Sequence, residues 1–548
     1  MRRSPRKLAA LAVILIPLLA GGFLLQSRAV GDGTKLLDQV LSLVSERFVD
    51  TLPPGAMYEK AARGLVRELN DPYTELLSPK ELKQFTTRTG GRYGGLGMQI
   101  EPRDQQIVVS RVFPHTPAER NGVREGDRII QVDTSSTRGW TTQQASDILT
   151  GTPGTKVRVK FNRPGVAQPI DMDFTRAVIH VPAVPFEITF GSVGYVPLQS
   201  FNENAASELE DAVRSLSSRG AKGVIVDLRR NPGGILEQSL TVSNLFLKPG
   251  LEIASVRSRN GETQSYVARG QPALPNVPLI VLADEGSASA SEIVAGALQD
   301  HDRAVIVGQT TFGKGLVQSV FNLDGGYALK LTTAKWFTPS GRSIQRERRF
   351  VDGQFVEDTT RDTLETDASK KVRPAYKSDA GRIVYGGGGV TPDVIVQDDT
   401  LTTPEQQLIK ALAPKAQEFS TALQDYALEL SRQVPKDFQS QPTWKDELRR
   451  RIEGRGVKVD AQQWESGGRW VNQQLEWWVA RFASGDSAAK RRQLPFDAPL
   501  RRAIDMMNKG QTQKDLFSLA SLKPLNDAKP AKNQAASVEA KVPARPPR

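Results

Sequence analysis

From Thr34 to Asn70, apolar side chains return every three or four residues, at Leu36, Leu37, Val40, Leu43, Val44 and Phe48, then at Ala61, Leu65 and Leu69. That interval keeps them on one face, so two amphipathic helices joined at Leu52-Pro-Pro-Gly55 are expected. Past residue 90 the period shortens to two. Short alternating runs at Ile107-Val-Val, Arg128 to Val132 and Val157 to Phe161, with one helical stretch near Ala145 to Leu149, predict a small mostly-β module over residues 85–178. Between 180 and 398, strand-like runs (Gly223 to Leu228, Leu279 to Ala283, Ala304 to Val307) alternate with helical segments at 203–218, 234–247 and 290–299. Such alternation predicts an α/β core. Residues 346–383 are charged and poor in apolar side chains, which suits a surface excursion before Gly386 to Asp393 returns to the core.

Residues 400–522 carry a helical period again, through Leu408, Leu412, Phe419, Leu423, Tyr426 and Leu430, then Trp464, Trp470, Leu475, Trp477, Trp478 and Phe482. The tryptophans are expected to pack between helices or in a subunit contact, with a ligand groove as the alternative. Residues 523–548, rich in Pro, Ala and Lys, hold too little apolar surface to offset ordering and are expected to be disordered. The N-terminus differs: Arg2, Arg3, Arg6 and Lys7 precede a nearly uninterrupted apolar run from Leu8 to Leu25, then Ser27-Arg28-Ala29. Residues 1–29 therefore read as an export signal or, because the run reaches the ~17 to 25 residues that span a bilayer, as an uncleaved anchor. Either reading places residues 32–84, the N-terminal helical region, and everything after it outside the cytoplasm, in the periplasm or an equivalent compartment, with residues 8–25 a candidate tether to the inner membrane.

At 548 residues the chain has room for several domains, and 39% hydrophobic with 24% charged residues is ordinary for globular protein. Its net charge is +12, but +4 lies in residues 1–7 and +4 in residues 523–548, which leaves +4 for everything between. A nucleic-acid-binding protein concentrates basic charge on a folded face, so that class is set aside. The absence of cysteine excludes disulfides, thiol catalysis and cysteine-bound metal.

The chemistry-bearing stretch is 279–318. The strand-like run Leu279 to Ala283 breaks into Gly286-Ser-Ala-Ser-Ala-Ser-Glu292 and a helix follows, so the serines stand at a strand-to-helix junction where free N–H groups favour negative charge. Ser287, Ser289 and Ser291 compete as nucleophile, and Ser289 with Glu292 also fits a capping box, in which the serine only starts a helix. Of the three histidines, His115, His180 and His301, none lies in a recognisable protease context. Lys314, between Gly313 and Gly315, is the better candidate base. At its ordinary pKa of about 10.4 a lysine is neutral in about one molecule in 2,500 at pH 7, so the role requires desolvation. Gln318, four residues on, can orient the amine by hydrogen bonding, or be a plain polar residue on a half-buried strand. A second glycine turn, Arg229-Arg-Asn-Pro-Gly-Gly234, offers backbone N–H groups for an oxyanion hole together with the amide of Ala290.

These segments, with Asp227 to Gly234, Thr311 to Gln318, Gly341 to Gln345 and Gly386 to Asp393, closely resemble the carboxyl-terminal processing peptidases, or tail-specific proteases. The resemblance covers roughly residues 34–397. It implies an α/β, crotonase-like serine peptidase core at 180–398 with an inserted mostly-β PDZ domain at 85–178. Through it Ser289 is the nucleophile, Lys314 the base and Gln318 its support, with oxyanion donors at Gly233 or Gly234 and at Ala290. A functional aspartate of some members maps to Asp300, where a solvated helix-end role is the plainer reading. Val112 to Asp133 resembles a PDZ signature, and Gly95, Leu96, Gly97 and Met98 would form its carboxylate-binding loop. Asp284 stands where the family commonly has asparagine. The implied function is an exported serine endopeptidase that binds free protein C-termini and cleaves through an acyl-enzyme, with no metal or organic cofactor. Peptide or protein substrates are the implied partners, with a homodimer or regulatory protein as further ones. Two rival readings are a PDZ scaffold on the same fold that is silent or partner-activated, and a Ser-His-Asp protease using His301.

Overall fold

The computed structural model describes residues 34–351, 354–357 and 373–522. The signal or anchor segment and the C-terminal tail lie outside the described residues. Among the described residues no helix is long and apolar enough to cross a membrane.

The α/β part is built on a six-stranded sheet in the order Ile188–Phe190, Val193–Pro197, Gly223–Asp227, Leu279–Ala283, Val305–Gly308 and Val394–Ile395. Only the first pair is antiparallel. Both faces are covered, which is why Leu279 to Ala283 is apolar without a break. Leu279, Val281 and Ala283 pack with helices Ala205–Ser218 and Ala290–Asp300, while Ile280 and Leu282 face the opposite layer. That opposite layer comes from the end of the chain: Leu500, Ala503 and Met506 of helix Ala498–Lys509 and Leu516 of helix Gln513–Ser521. Residues 400–522, read from sequence as one helical region, thus divide. The last two helices complete the α/β core, and residues 408–480 hold a separate cluster around Leu408, Trp464, Val471 and Leu475.

An antiparallel sheet lies beside the parallel one. Its strand Ala328–Phe337 pairs with Leu316–Asn322 along one edge and with Glu75–Leu77 and Glu252–Ser258 along the other. This register brings the segment just before Leu316 and the segment just before Glu75 toward the same end.

The mostly-β module forms its own six-stranded sheet and apolar core, with Ile107, Val109, Ile129, Val159 and Phe161 fully buried. It rests against the C-terminal cluster through ion pairs. Arg103, 5% exposed, reaches Asp425 at 3.1 Å and the Gln424 side chain at 2.5 Å, and Arg455 joins Asp104 and Asp425. Arg111 pairs with Asp486. The helices at 34–47 and Pro54–Glu68 are amphipathic as expected, yet Leu36, Leu37, Val40, Leu43, Phe48, Leu65 and Leu69 are all exposed. Periodicity showed which residues share a face but not whether the protein has anything to put against it.

Candidate active site

Helix Ala290–Asp300 starts at Ser289, whose backbone is in a strained region, φ 56° and ψ −112°. A non-glycine residue held at positive φ requires over-determining neighbours. They are present. Ser287 donates its hydroxyl to Leu228 O at 2.8 Å, Ser291 donates to Asn231 O at 2.9 Å, and Ala288 N–H donates to the same Asn231 carbonyl. Ser287 and Ser291, both buried, are thereby committed to holding the turn. The Ser289 O–H donates to no acceptor among the described residues, and the Glu292 N–H donates to the Ser289 carbonyl. The capping box expected with Glu292 is kept through the Ser289 N–H on the Glu292 carboxylate, and among these three serines Ser289 alone has an O–H not committed to an acceptor.

Glu292 organises both halves of the site. Fully buried, its carboxylate accepts from Ser289 N–H at 2.8 Å and Lys314 N–H at 2.9 Å on one oxygen, and from the Thr311 hydroxyl at 2.5 Å and Gly313 N–H at 2.6 Å on the other. Burial pushes its pKa up, and these four donors oppose that. The lysine turn is also held by Phe312 N–H to Ser287 O and by Trp336 Nε1 to Lys314 O at 2.9 Å. Gly313 has φ 84°, and a Cβ there would stand 2.8 Å from Arg346. Sequence reading saw Glu292 only as a capping partner, because a local motif does not show what the carboxylate's other three donors will be.

Burial lowers the Lys314 amine to about pKa 8, with repulsion from Lys330 adding to it and Glu292 and Asp71 opposing it. The amine makes no hydrogen bond to Ser289 in this structure. It lies over the Tyr73 ring, 4.6 Å from its centre. Lys314, Tyr73, Phe312, Pro232 and Ala288 line one cavity of about 540 Å³, rimmed by Arg230, Asp284, Glu285 and Asp398. Gln318 makes no hydrogen bond to the amine among the described residues. Its carboxamide donates to the Thr332 hydroxyl at 3.2 Å, across a register irregularity between strands Leu316–Asn322 and Ala328–Phe337. Lys314 precedes the strand that carries Gln318, so the four-residue interval spans a loop as well as strand.

The glycine turn packs directly on Ser289. A Cβ on Gly233, φ 96°, would meet Ala288 O at 2.7 Å, Ala290 N at 2.9 Å and Ser289 Cβ at 3.0 Å. The Gly233 N–H is already donated to Asn231 Oδ1 at 2.9 Å, so of the two glycines considered, Gly234 is the one whose N–H has no acceptor among the described residues. Ala290 N–H, at the first turn of its helix, is likewise uncommitted. Asp300 corrects the solvated reading. It is 1% exposed and paired with Arg342, 0% exposed, at 2.7 Å, because the turn at 338–343 folds over the helix end. His301 is at that same far end, bonded to Asp379 and to Glu252 O, and does not line the cavity that Lys314 and Ala288 line.

In the β module a groove of about 650 Å³ runs between strand Met98–Arg103 and helix Thr142–Leu149. Leu96, Gly97 and Met98 line it; Gly95, expected with them, does not. The Leu96 and Gly97 carbonyls are fixed by Ala118 N–H and Phe113 N–H. Gly97, φ 86°, lies where a Cβ would strike Thr116 at 2.2 Å. Helix Pro79–Gly90, capped by Ser78, forms the third wall with Lys80, Lys83 and Arg88.

Residues 192–352 match the model of peptidase family S41 and residues 85–161 that of the PDZ domain. The chain is 35% identical over 323 residues to carboxy-terminal processing protease CtpA of Bacillus subtilis, covering 59% of this chain and 69% of that protein. It is 38% identical over 311 residues to the carboxy-terminal-processing protease of Bartonella bacilliformis, covering 56% and 71%. Against the carboxyl-terminal-processing protease of Synechocystis sp. it is 36% identical over 292 residues, covering 52% and 68%.

Proposed function

We propose, from the premise that this chain belongs to the carboxy-terminal processing proteases of peptidase family S41 and is a serine peptidase with a PDZ domain, that it cleaves by a Ser289–Lys314 dyad. The observation that supports this most is the Ser289 hydroxyl, free while its neighbours Ser287 and Ser291 are committed, on a turn tied through Glu292 to a lysine of lowered pKa.

In this reading the neutral Lys314 amine takes the Ser289 proton as Oγ adds to the scissile carbonyl carbon. The N–H groups of Ala290 and Gly234 receive the oxyanion. Collapse breaks the C–N bond, the Lys314 ammonium returns its proton to the leaving amine, and an acyl-enzyme remains for water to hydrolyse. Before this the amine turns from the Tyr73 ring to Ser289. Gln318, whose carboxamide oxygen accepts nothing among the described residues, supports the amine from the Thr332 side. The groove at Leu96 to Met98 takes the substrate's C-terminal carboxylate on backbone amides and its last residues as an added strand.

The resting position of the amine also favours a second reading, in which the chain is silent until a partner or tail aligns the dyad. We place the protein outside the cytoplasm, tethered or released according to the fate of residues 8–25, and take a second copy as one occupant of the exposed apolar face at residues 36–69. The test is cleavage of an unstructured polypeptide with a small apolar tail by wild type, Ser289→Ala and Lys314→Ala, with free and amidated termini. Loss of cutting in both variants with tail binding kept supports the dyad; equal cutting of the amidated substrate removes tail recognition.

A further inference from the structure

The Lys314 amine has a neighbour that proton transfer to and from Ser289 does not account for. Its Nζ lies over the Tyr73 ring and makes no ion pair or hydrogen bond among the described residues. Tyr73 comes from the turn Asp71-Pro72-Tyr73-Thr74, outside the stretches matched by the peptidase and PDZ family models.

That turn is built to hold its place. Tyr73 N–H donates to Asp71 Oδ1 at 3.1 Å, and the Thr74 hydroxyl donates to Asp71 Oδ2 at 2.5 Å. Thr74 Oγ1 in turn accepts from Thr332 N–H at 3.1 Å, and the Thr332 hydroxyl accepts from Gln318. Directly afterwards Glu75–Leu77 pairs with Ala328–Lys330. The ring is thus fixed to the same strand that carries the support of the lysine turn, and it faces the cavity that Ala288 and Lys314 line.

We propose that Tyr73 is a positioning residue for the reaction: its ring face holds the Lys314 amine at the edge of the cavity and sets the pH range in which that amine can take the serine proton. This rests on Lys314 being the base. An aromatic face attracts an ammonium and does much less for the neutral amine, while the body of the ring keeps water away. The two effects act in opposite directions on protonation, and side chains of different kinds separate them. The other charged groups facing the amine are Lys330 from the strand behind, Glu292 from the serine helix and Asp71 from the tyrosine's own turn, with Arg230, Asp284, Glu285 and Asp398 around the cavity. None of these substitutions alters them.

The experiment measures kcat/KM against pH for the full chain carrying Tyr73→Phe, Tyr73→Leu or Tyr73→Ala. Lys314 is titrated in parallel by NMR of lysine-labelled protein in the Ser289→Ala background, which needs no activity. Tyr73→Phe keeps the wild-type profile. Tyr73→Leu retains an apolar cover without a π face, so both the acid limb and the direct titration move down by about half to one pH unit. Tyr73→Ala admits water and moves both up, toward the ordinary lysine value of about 10.4. Leu and Ala variants that titrate like wild type, or a Phe variant that behaves like Leu, overturn the proposal. Should Tyr73→Ala fail to fold, the Leu and Phe pair decides. If Lys314→Ala cleaves normally, the dyad is what fails, and the NMR titration still reports on the ring.

Discussion

The backbone amides of Ser289 and Lys314 donate to the same atom, Glu292 Oε2, at 2.8 and 2.9 Å. One buried carboxylate therefore sets where the Ser289 turn stands relative to the Lys314 turn. Breaking either hydrogen bond leaves a donor without an acceptor in a dry site, which costs more than the bond contributes.

Glu292→Gln tests this coupling. A carboxamide has one oxygen for four donors, and although the Thr311 hydroxyl can reverse to accept, the Gly313 N–H cannot. We expect a loss of about 2–3 kcal/mol in urea unfolding and at least a tenfold fall in kcat. A variant with wild-type kcat removes the carboxylate from the geometry of the dyad.

Lys314 makes stability depend on pH with a definite sign. Its folded pKa, about 8, is below that of the unfolded chain, about 10.4. Between those values the unfolded chain holds a proton that the folded chain has released, so this group's contribution to stability rises with pH through that window, and its cost is complete below pH 8. Activity should rise to a plateau above about pH 8. Lys314→Met should abolish cleavage while raising the urea midpoint at pH 7 and giving no such gain at pH 10.5. A midpoint lowered at both pH values would contradict a desolvated amine.

Gly233→Ala should separate turn geometry from folding. The added methyl meets Ala288 O and Ser289 Cβ at φ 96°, so strain falls on the nucleophile's own turn. We expect kcat to fall by about a hundredfold, the scale seen for loss of one oxyanion donor, with tail-peptide binding unchanged. Calorimetric titration with the peptide against steady-state cleavage decides it.

Arg103→Ala should loosen the PDZ domain from the C-terminal helices. It leaves Glu101 without its cation and Asp425 with Arg455 and Arg128 only, a loss of about 1 kcal/mol for partly exposed pairs. Limited proteolysis should nick the connections of the PDZ domain sooner, while the unfolding midpoint of the peptidase core stays put. Equal nicking rates would show that the interface does not hold the domain.

The amino-acid order already specified the parallel strands, because a five-residue apolar run such as Leu279 to Ala283 suits a strand covered on both faces, and it specified the glycine positions where motifs admit no Cβ. It also put Ser289 at a strand-to-helix junction and Lys314 in a glycine-flanked turn, and the structure has them there. Local spacing carries information about which side chains share a face and no information about what arrives from elsewhere in the chain. For that reason the commitment of Ser287 and Ser291 to carbonyls, the four donors on Glu292, the pairing of Asp300 with Arg342, the engagement of Gln318 by Thr332 and the ring of Tyr73 over Lys314 emerged from packing alone. Each joins residues distant in sequence, and such contacts are selected by the mutual burial of whole layers, which no window of neighbouring residues contains.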